Sequence, residues 1–244
     1  MNHEFLHIVC SHCGKRFDVP LYCGDRFCSV CGFPRRMRIR ARLRFLVENV
    51  QLGDSESIKH ITFTIPSELD LAQMIKRLVR SFRKLRQTKF WKRYISGGAF
   101  VIEITGEPGQ WHGHIHCICQ AGFVPWAKLK SLWEHFSGGK GVYITRIPLR
   151  AAVNYLTKYL SKSTVATEFR YDVSEALKGL RFFQPFGSWY HQDRKYPKPS
   201  KVCSRCKTEG SFCLAYEMLG GWMHDTYEVV PQDHGPPKIL RKVS

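Results

Sequence analysis

The sequence predicts an α+β fold: a central antiparallel sheet flanked by helices, with a cysteine-rich N-terminal module and a small cysteine-rich C-terminal region. Three observations predict it. Between residues 60 and 147, apolar residues alternate with period two in four short segments, the mark of half-buried strands. In segments before, between and after these strands they return at helical spacing instead, and strands mixed with helices in this order fold as α+β domains. Ten cysteines include three C-x-x-C pairs, a spacing that reads first as metal ligation. At 244 residues, with 43% hydrophobic and 13% aromatic content, the chain can build a real core in one or two domains.

Taken in order, residues 1–33 read as a zinc-binding module. Cys10-x-x-Cys13 is followed after fourteen residues by Cys28-x-x-Cys31, close to the spacing of a zinc ribbon or treble-clef knuckle. Two such turns can present four thiolates tetrahedrally and fold a segment too small to bury its own core. Cys23 and His12 are further donors, and spacing alone does not choose among them. A basic helix follows at 35–46, with six arginines in ten positions, where Met37, Ala41 and either Arg44 or Phe45 share a face. The strand HITFTIP alternates Ile61, Phe63 and Ile65 with Thr62 and Thr64 and ends at Pro66. A second basic helix covers 71–95, with Met74, Leu78, Val79, Phe82 and Leu85 at helical spacing. Strands at 99–105 and 111–119 are joined by GEPGQ, a natural hairpin. A helix at 126–136, a strand at 141–147 and a helix at 150–162 complete the expected domain, 34–165. The extension 166–244 holds Cys203-x-x-Cys206 and Cys213, three ligands of a second zinc site whose fourth is His224, His191 or Cys23. Its tail, from Pro231 on, reads as irregular.

Charge narrows the function. The chain has 38 Lys+Arg against 20 Asp+Glu, a net +18, which calls for a polyanionic partner: nucleic acid or an anionic membrane surface. No apolar run approaches the roughly 20 residues of a spanning helix. The opening MNHEFLHIVCSHCG has no basic segment followed by an apolar one, so it is not expected to be a signal peptide. A reducing, cytoplasmic setting and no membrane partner are therefore expected. Residues 34–95 carry 16 Lys+Arg and 5 Asp+Glu, so the two basic helices are candidate phosphate contacts.

Chemistry gathers on the hairpin and the last helix. Period two puts His112, His114 and His116 on one face of their strand, and Glu103 stands in the partner strand. Two imidazoles and a carboxylate suit Mn²⁺, Mg²⁺, Zn²⁺ or a similar Lewis acid acting on a phosphate oxygen. In the final helix Tyr155 and Tyr159 are one turn apart, and Lys158 and Lys162 repeat with the same period on an adjacent face. A tyrosine hydroxyl is a poor nucleophile unless a metal and nearby cations assist it.

His114-Ile115-His116 resembles the His–hydrophobic–His signature of HUH endonucleases, the superfamily of rolling-circle replication initiators, relaxases and single-strand transposases. ITFTI, the EIT…WHGHIHCI hairpin and the KYLSK helix resemble three ordered elements of the rolling-circle initiators. Cys23-Gly-Asp-Arg26-Phe-Cys28-x-x-Cys31, leading into an arginine-rich helix, is similar to small plasmid initiators of the Rep_1 type. The likeness covers about residues 10–165. It implies an HUH/RRM-like sheet and a divalent ion, Mn²⁺ or Mg²⁺, on His114, His116 and Glu103. It implies tyrosine attack that leaves a free 3′-OH and a 5′-phosphotyrosine link. Tyr159, with Lys162 three residues on, aligns with the nucleophile. Tyr155 falls where some of those proteins carry a glutamate for termination, while paired tyrosines occur in phage-type initiators and rolling-circle transposases.

The implied partners are single-stranded DNA or an origin hairpin, with a host helicase and polymerase, because no G-x-x-x-x-G-K-[ST] is present. A rolling-circle transposase and a non-catalytic zinc-dependent DNA-binding protein are the alternatives. A metalloprotease is disfavoured, for there is no H-E-x-x-H.

Overall fold

Antiparallel pairing organises the chain into two five-stranded sheets. The computed structural model describes residues 5–20, 25, 27–161, 165–181, 183–197, 203–208, 212–218, 221–230 and 238–242. In chain order these form β1 (Phe5–Cys10), β2 (Arg16–Pro20), α1 (Ser29–Glu48), β3 (Ser57–Thr64), α2 (Leu71–Gln87) and α3 (Lys89–Tyr94). Next come β4 (Ile95–Thr105), β5 (His112–Ala121), α4 (Trp126–Ser137), β6 (Gly141–Arg146) and α5 (Ala152–Ser161). The rest comprises α6 (Arg170–Ala176), β7 (Gln184–Gly187), α7 (Ser188–Asp193), β8 (Phe212–Met218), β9 (Gly221–Val230) and β10 (Lys238–Lys242).

Two compact units result. One joins Met1–Pro34 to Pro197–Ser244 and carries the sheet β10-β9-β8-β1-β2. The other, Arg35–Tyr196, carries β6-β3-β5-β4-β7. These units depart from the expected boundaries 1–33, 34–165 and 166–244, and strand pairing is the cause. β8 pairs with β1, so the C-terminal cysteines fold with the N-terminal ones. β7 pairs with β4, so residues after 165 complete the larger sheet. The tail expected to be irregular includes β10, paired with β9.

Helices cover both faces of the larger sheet. On one, the i, i+4, i+8, i+11 series Met74, Leu78, Phe82 and Leu85 of α2 is buried, as are Phe63, Ile61, Ile115 and Trp133. Gly113 makes the approach of α2 possible: a Cβ there would lie 2.5 Å from Met74 Sδ. Asp70 caps α2 by accepting from Gln73 N–H at 2.9 Å. The expected single helix at 71–95 breaks at Thr88, whose hydroxyl caps α3 by accepting from Trp91 N–H.

The other face is covered by α1, α5 and α7. Ile39, Leu43, Leu46 and Val47 of α1 pack with Val153 and Leu156 of α5 on Ile58, Ala99, Val101 and Ile118. This corrects the expected apolar face of α1, since Met37 is 45% exposed and Ala41 is exposed too. The arginine-rich stretch does hold an i, i+4, i+7, i+8 apolar series, one face over from Met37. Fully burying each such aliphatic side chain stabilises by roughly 1.5–3 kcal/mol, which fixes where α5 sits on the sheet. Among the described residues no helix is long and apolar enough to cross a membrane.

Candidate active site and metal centre

The cysteine geometry differs from the one expected. Cys10, Cys13, Cys203 and Cys206 place their Sγ atoms within 4.8 Å of one another. Cys10–Cys206 is 3.8 Å and Cys13–Cys203 is 3.6 Å. A tetrahedral zinc with about 2.3 Å arms has sulfur–sulfur edges of about 3.8 Å, so the cage has the right size.

Each pair sits on the same turn. Gly14 N–H donates to Cys10 C=O and Lys207 N–H to Cys203 C=O, both at 2.9 Å. Gly14 (φ 66°) and Lys207 (φ 59°), each four residues after the first cysteine, both have left-handed backbone. Thr208, through its hydroxyl and N–H, pulls the Cys206 thiol down to about 6. The Lys15 N–H pulls Cys13 down, but burial and three neighbouring thiols push it net up to about 11. Four packed thiols cannot all ionise unless a cation joins them, and this donor set fits zinc.

The expected partners Cys28 and Cys31 are thereby replaced by Cys203 and Cys206: two C-x-x-C turns expected in two sites make one. Cys28 is not among the four, and the Cys31, Cys213 and His224 side chains and all of Cys23 lie outside the described residues.

The second constellation lies on the face of the larger sheet that α5 partly covers. Register places Glu103 opposite His114 and His114 opposite Thr64, while His116 stands opposite Thr62. His116 Nε2–H donates to the Glu103 carboxylate at 2.8 Å, and its Nδ1 accepts from the Thr62 hydroxyl at 3.3 Å. His114 bridges Thr64 (Nδ1, 3.1 Å) and Thr105 (Nε2, 3.2 Å). Glu103, His114 and His116 are thus neighbours held by hydrogen bonds, not a closed cage within 4.8 Å like the cysteines. Two imidazoles and a carboxylate still fit a divalent ion by donor type. Burial, reinforced by His116 and His112 against the pull of Glu103, holds His114 below the usual imidazole range, so it is neutral and able to ligate.

α5 brings the tyrosines to this face. The Tyr159 ring lies flat on His116, centroids 3.5 Å apart and planes 8° apart. Lys158 Nζ stands 5.7 Å from the same ring centroid. Burial, then the Glu103 carboxylate and Tyr155, raises the Tyr159 hydroxyl above its ordinary value. Tyr155 is 40% exposed, with its ring 5.6 Å from His60. Lys162 lies outside the described residues.

His60 was not singled out in the sequence. Its ring is near-parallel to His116 and Tyr159, at 5.6 and 5.8 Å, and its buried Nε2 has no hydrogen-bond partner among the described residues. Burial first, then His116 and Lys158, lowers its pKa to about 4. The signal was parity: His60 shares a strand face with Thr62 and Thr64.

Residues 14–124 match the Rep_1 replication protein family. The Rep_1 match covers just under half of the chain and runs from the Cys13 turn through the β4–β5 hairpin. It takes in Glu103, His114 and His116; α5 with both tyrosines lies beyond it. The match is consistent with a rolling-circle replication initiator, a class that acts on DNA and is generally endonucleolytic. No curated protein and no solved structure matches the chain.

Proposed function

We propose that this chain initiates rolling-circle replication by nicking and rejoining single-stranded DNA at an HUH-type site, through a 5′-phosphotyrosine link. The observation that carries the reading is the Tyr159 ring lying 3.5 Å from His116, which is itself bonded to Glu103. A nucleophile-bearing side chain there is fixed against the candidate metal donors by packing, as in-line attack requires. A divalent ion on His114, His116 and Glu103 would polarise a phosphate oxygen and offset the carboxylate charge that opposes ionisation of Tyr159. The chain's own groups do the rest. Tyr159 Oη bonds to phosphorus, the bond to the 3′ oxygen breaks, and the proton ends on the released 3′-OH. Lys158 favours the developing phenolate. Tyr155, more open than Tyr159, would be the alternate nucleophile for a second cleavage, and the 3′-OH released there attacks the Tyr159 link, forming the new phosphodiester as Tyr159 Oη leaves and takes up the proton.

The test is labelled single-stranded origin DNA with Mn²⁺ or Mg²⁺, read as a protein–DNA adduct that survives denaturation. Tyr159→Phe should abolish the adduct and Tyr155→Phe should spare first-strand cleavage. No adduct from the unaltered protein across a broad oligonucleotide library would leave a non-catalytic zinc-dependent DNA-binding protein as the reading.

A further inference from the structure

The sheet face that holds the site has a second end, and an open aromatic ring stands there. β6 is the edge strand. Register puts Tyr143 opposite Thr62 and Thr62 opposite His116, so the three form one cross-strand row on one face. Two strand spacings separate Tyr143 from His116, about 10 Å. The neighbouring row, Glu103, His114 and Thr64, ends at Gly141, which has no side chain to close it off. Tyr143 is 68% exposed, and no ring contact or hydrogen bond of its side chain occurs among the described residues.

An exposed tyrosine on a sheet face, at the end of an open row leading to a phosphate-chemistry site, is a nucleobase platform. Every base has a π face, so stacking holds an unpaired strand without reading its sequence. A protein partner would find little here: one ring at a polar edge, in a chain of net charge +18 that favours polyanions. We propose that Tyr143 stacks an unpaired base of the DNA strand within a nucleotide or two of the scissile phosphate. This rests on the nicking reading for the nature of the strand. It adds what fixes the strand in register at the site.

The experiment uses the full chain and a fluorescein-labelled dT20, without divalent ion, at a salt concentration that suppresses purely ionic binding. Tyr143→Ala should weaken binding about tenfold, within the range of base–aromatic stacking, while Tyr143→Phe and Tyr143→Trp retain it. With one 5-iodouracil in the same oligonucleotide, photocrosslinking should label the peptide containing 141–146. Unchanged affinity for Tyr143→Ala, an equal loss for Tyr143→Phe, or crosslinks confined to other peptides would each overturn the proposal. The nicking assay separates the two readings. An enzyme that forms the adduct while Tyr143→Ala binds dT20 normally sinks only the platform. A protein that forms no adduct but loses dT20 on Tyr143→Ala sinks only the chemistry.

Discussion

The cysteine cluster and the histidine–glutamate face are both candidate metal centres, and they are built oppositely. In the first, four thiols on two matching turns stand at zinc-edge distances, crowded against one another, with hydrogen-bond donors of their own turns aimed at them. In the second, every donor has a hydrogen-bond partner: Thr62, Thr64, Thr105 and Glu103 hold the two imidazoles. A closed site that needs its cation to settle four thiols is a folding element. One whose donors are satisfied without an ion can lose and regain it while the sheet stays folded. The same difference separates structural from catalytic metals generally.

The largest expected effect breaks the first half of this comparison. Cys203→Ser should lower bound zinc by one ion per chain by elemental analysis. It should also expose the β1 and β8 amides to hydrogen exchange, because binding energy at such sites is folding energy, about 10–16 kcal/mol in zinc-finger peptides. Cys28→Ser should leave the ion on Cys10, Cys13, Cys203 and Cys206 in place. Zinc lost with Cys28 and kept without Cys203 would restore the pairing that spacing favoured.

Next in size is the second half. His114→Ala should reduce cleavage by a hundredfold or more, since Lewis-acid stabilisation is worth several kcal/mol. The melting midpoint should move little, because the variant loses two threonine hydrogen bonds at a half-buried position. A collapse of folding instead, like that expected for Cys203→Ser, would make both centres structural.

The contrast also explains what could be read from the chain. Period two and period 3.6 delivered β3 to β6 with α1, α2, α4 and α5, but not β7 or α7, four and six residues long and too short for a period to show. The His114, His116 and Glu103 grouping was legible because a five-residue turn fixes that hairpin. The cysteine partners were not, because Cys10 meets Cys206 through β1–β8 pairing, about 200 residues apart, and local spacing carries no information about it. His60 was hidden for a related reason. Its parity was readable, but only the β3–β5 register makes that parity face His116.

A smaller effect follows from His60 and concerns pH. Its folded pKa, about 4, lies below the unfolded 6.5, so the unfolded chain binds the proton first. The stability it contributes is therefore present above pH 6.5 and is lost as pH falls from 6.5 towards 4. His60→Phe, which keeps a ring beside Tyr159, should flatten the dependence of the melting midpoint on pH within that window. A variant as acid-sensitive as the parent would show that some other group governs the window, and that the histidine face tolerates charge better than its burial implies.

The smallest effect returns to the cysteine turns and tests whether they are equivalent. Gly14 takes its left-handed φ at no steric cost, whereas Lys207 holds the same conformation with a Cβ against its own carbonyl. Among the described residues Lys207 is the one non-glycine with positive φ. Lys207→Gly should therefore stabilise the folded, zinc-loaded chain by about 0.5–1 kcal/mol, with the gain trimmed by glycine's larger unfolded-state entropy. Denaturant unfolding of the loaded protein reads this directly. Gly14→Lys should cost a comparable amount in the opposite sense, and the double variant should come out near the parent if the two turns share the load equally. A loss of stability on Lys207→Gly would mean that the lysine side chain does something at the cluster that the C-S-H-C-G turn manages without, and the two halves of the cage would no longer be interchangeable.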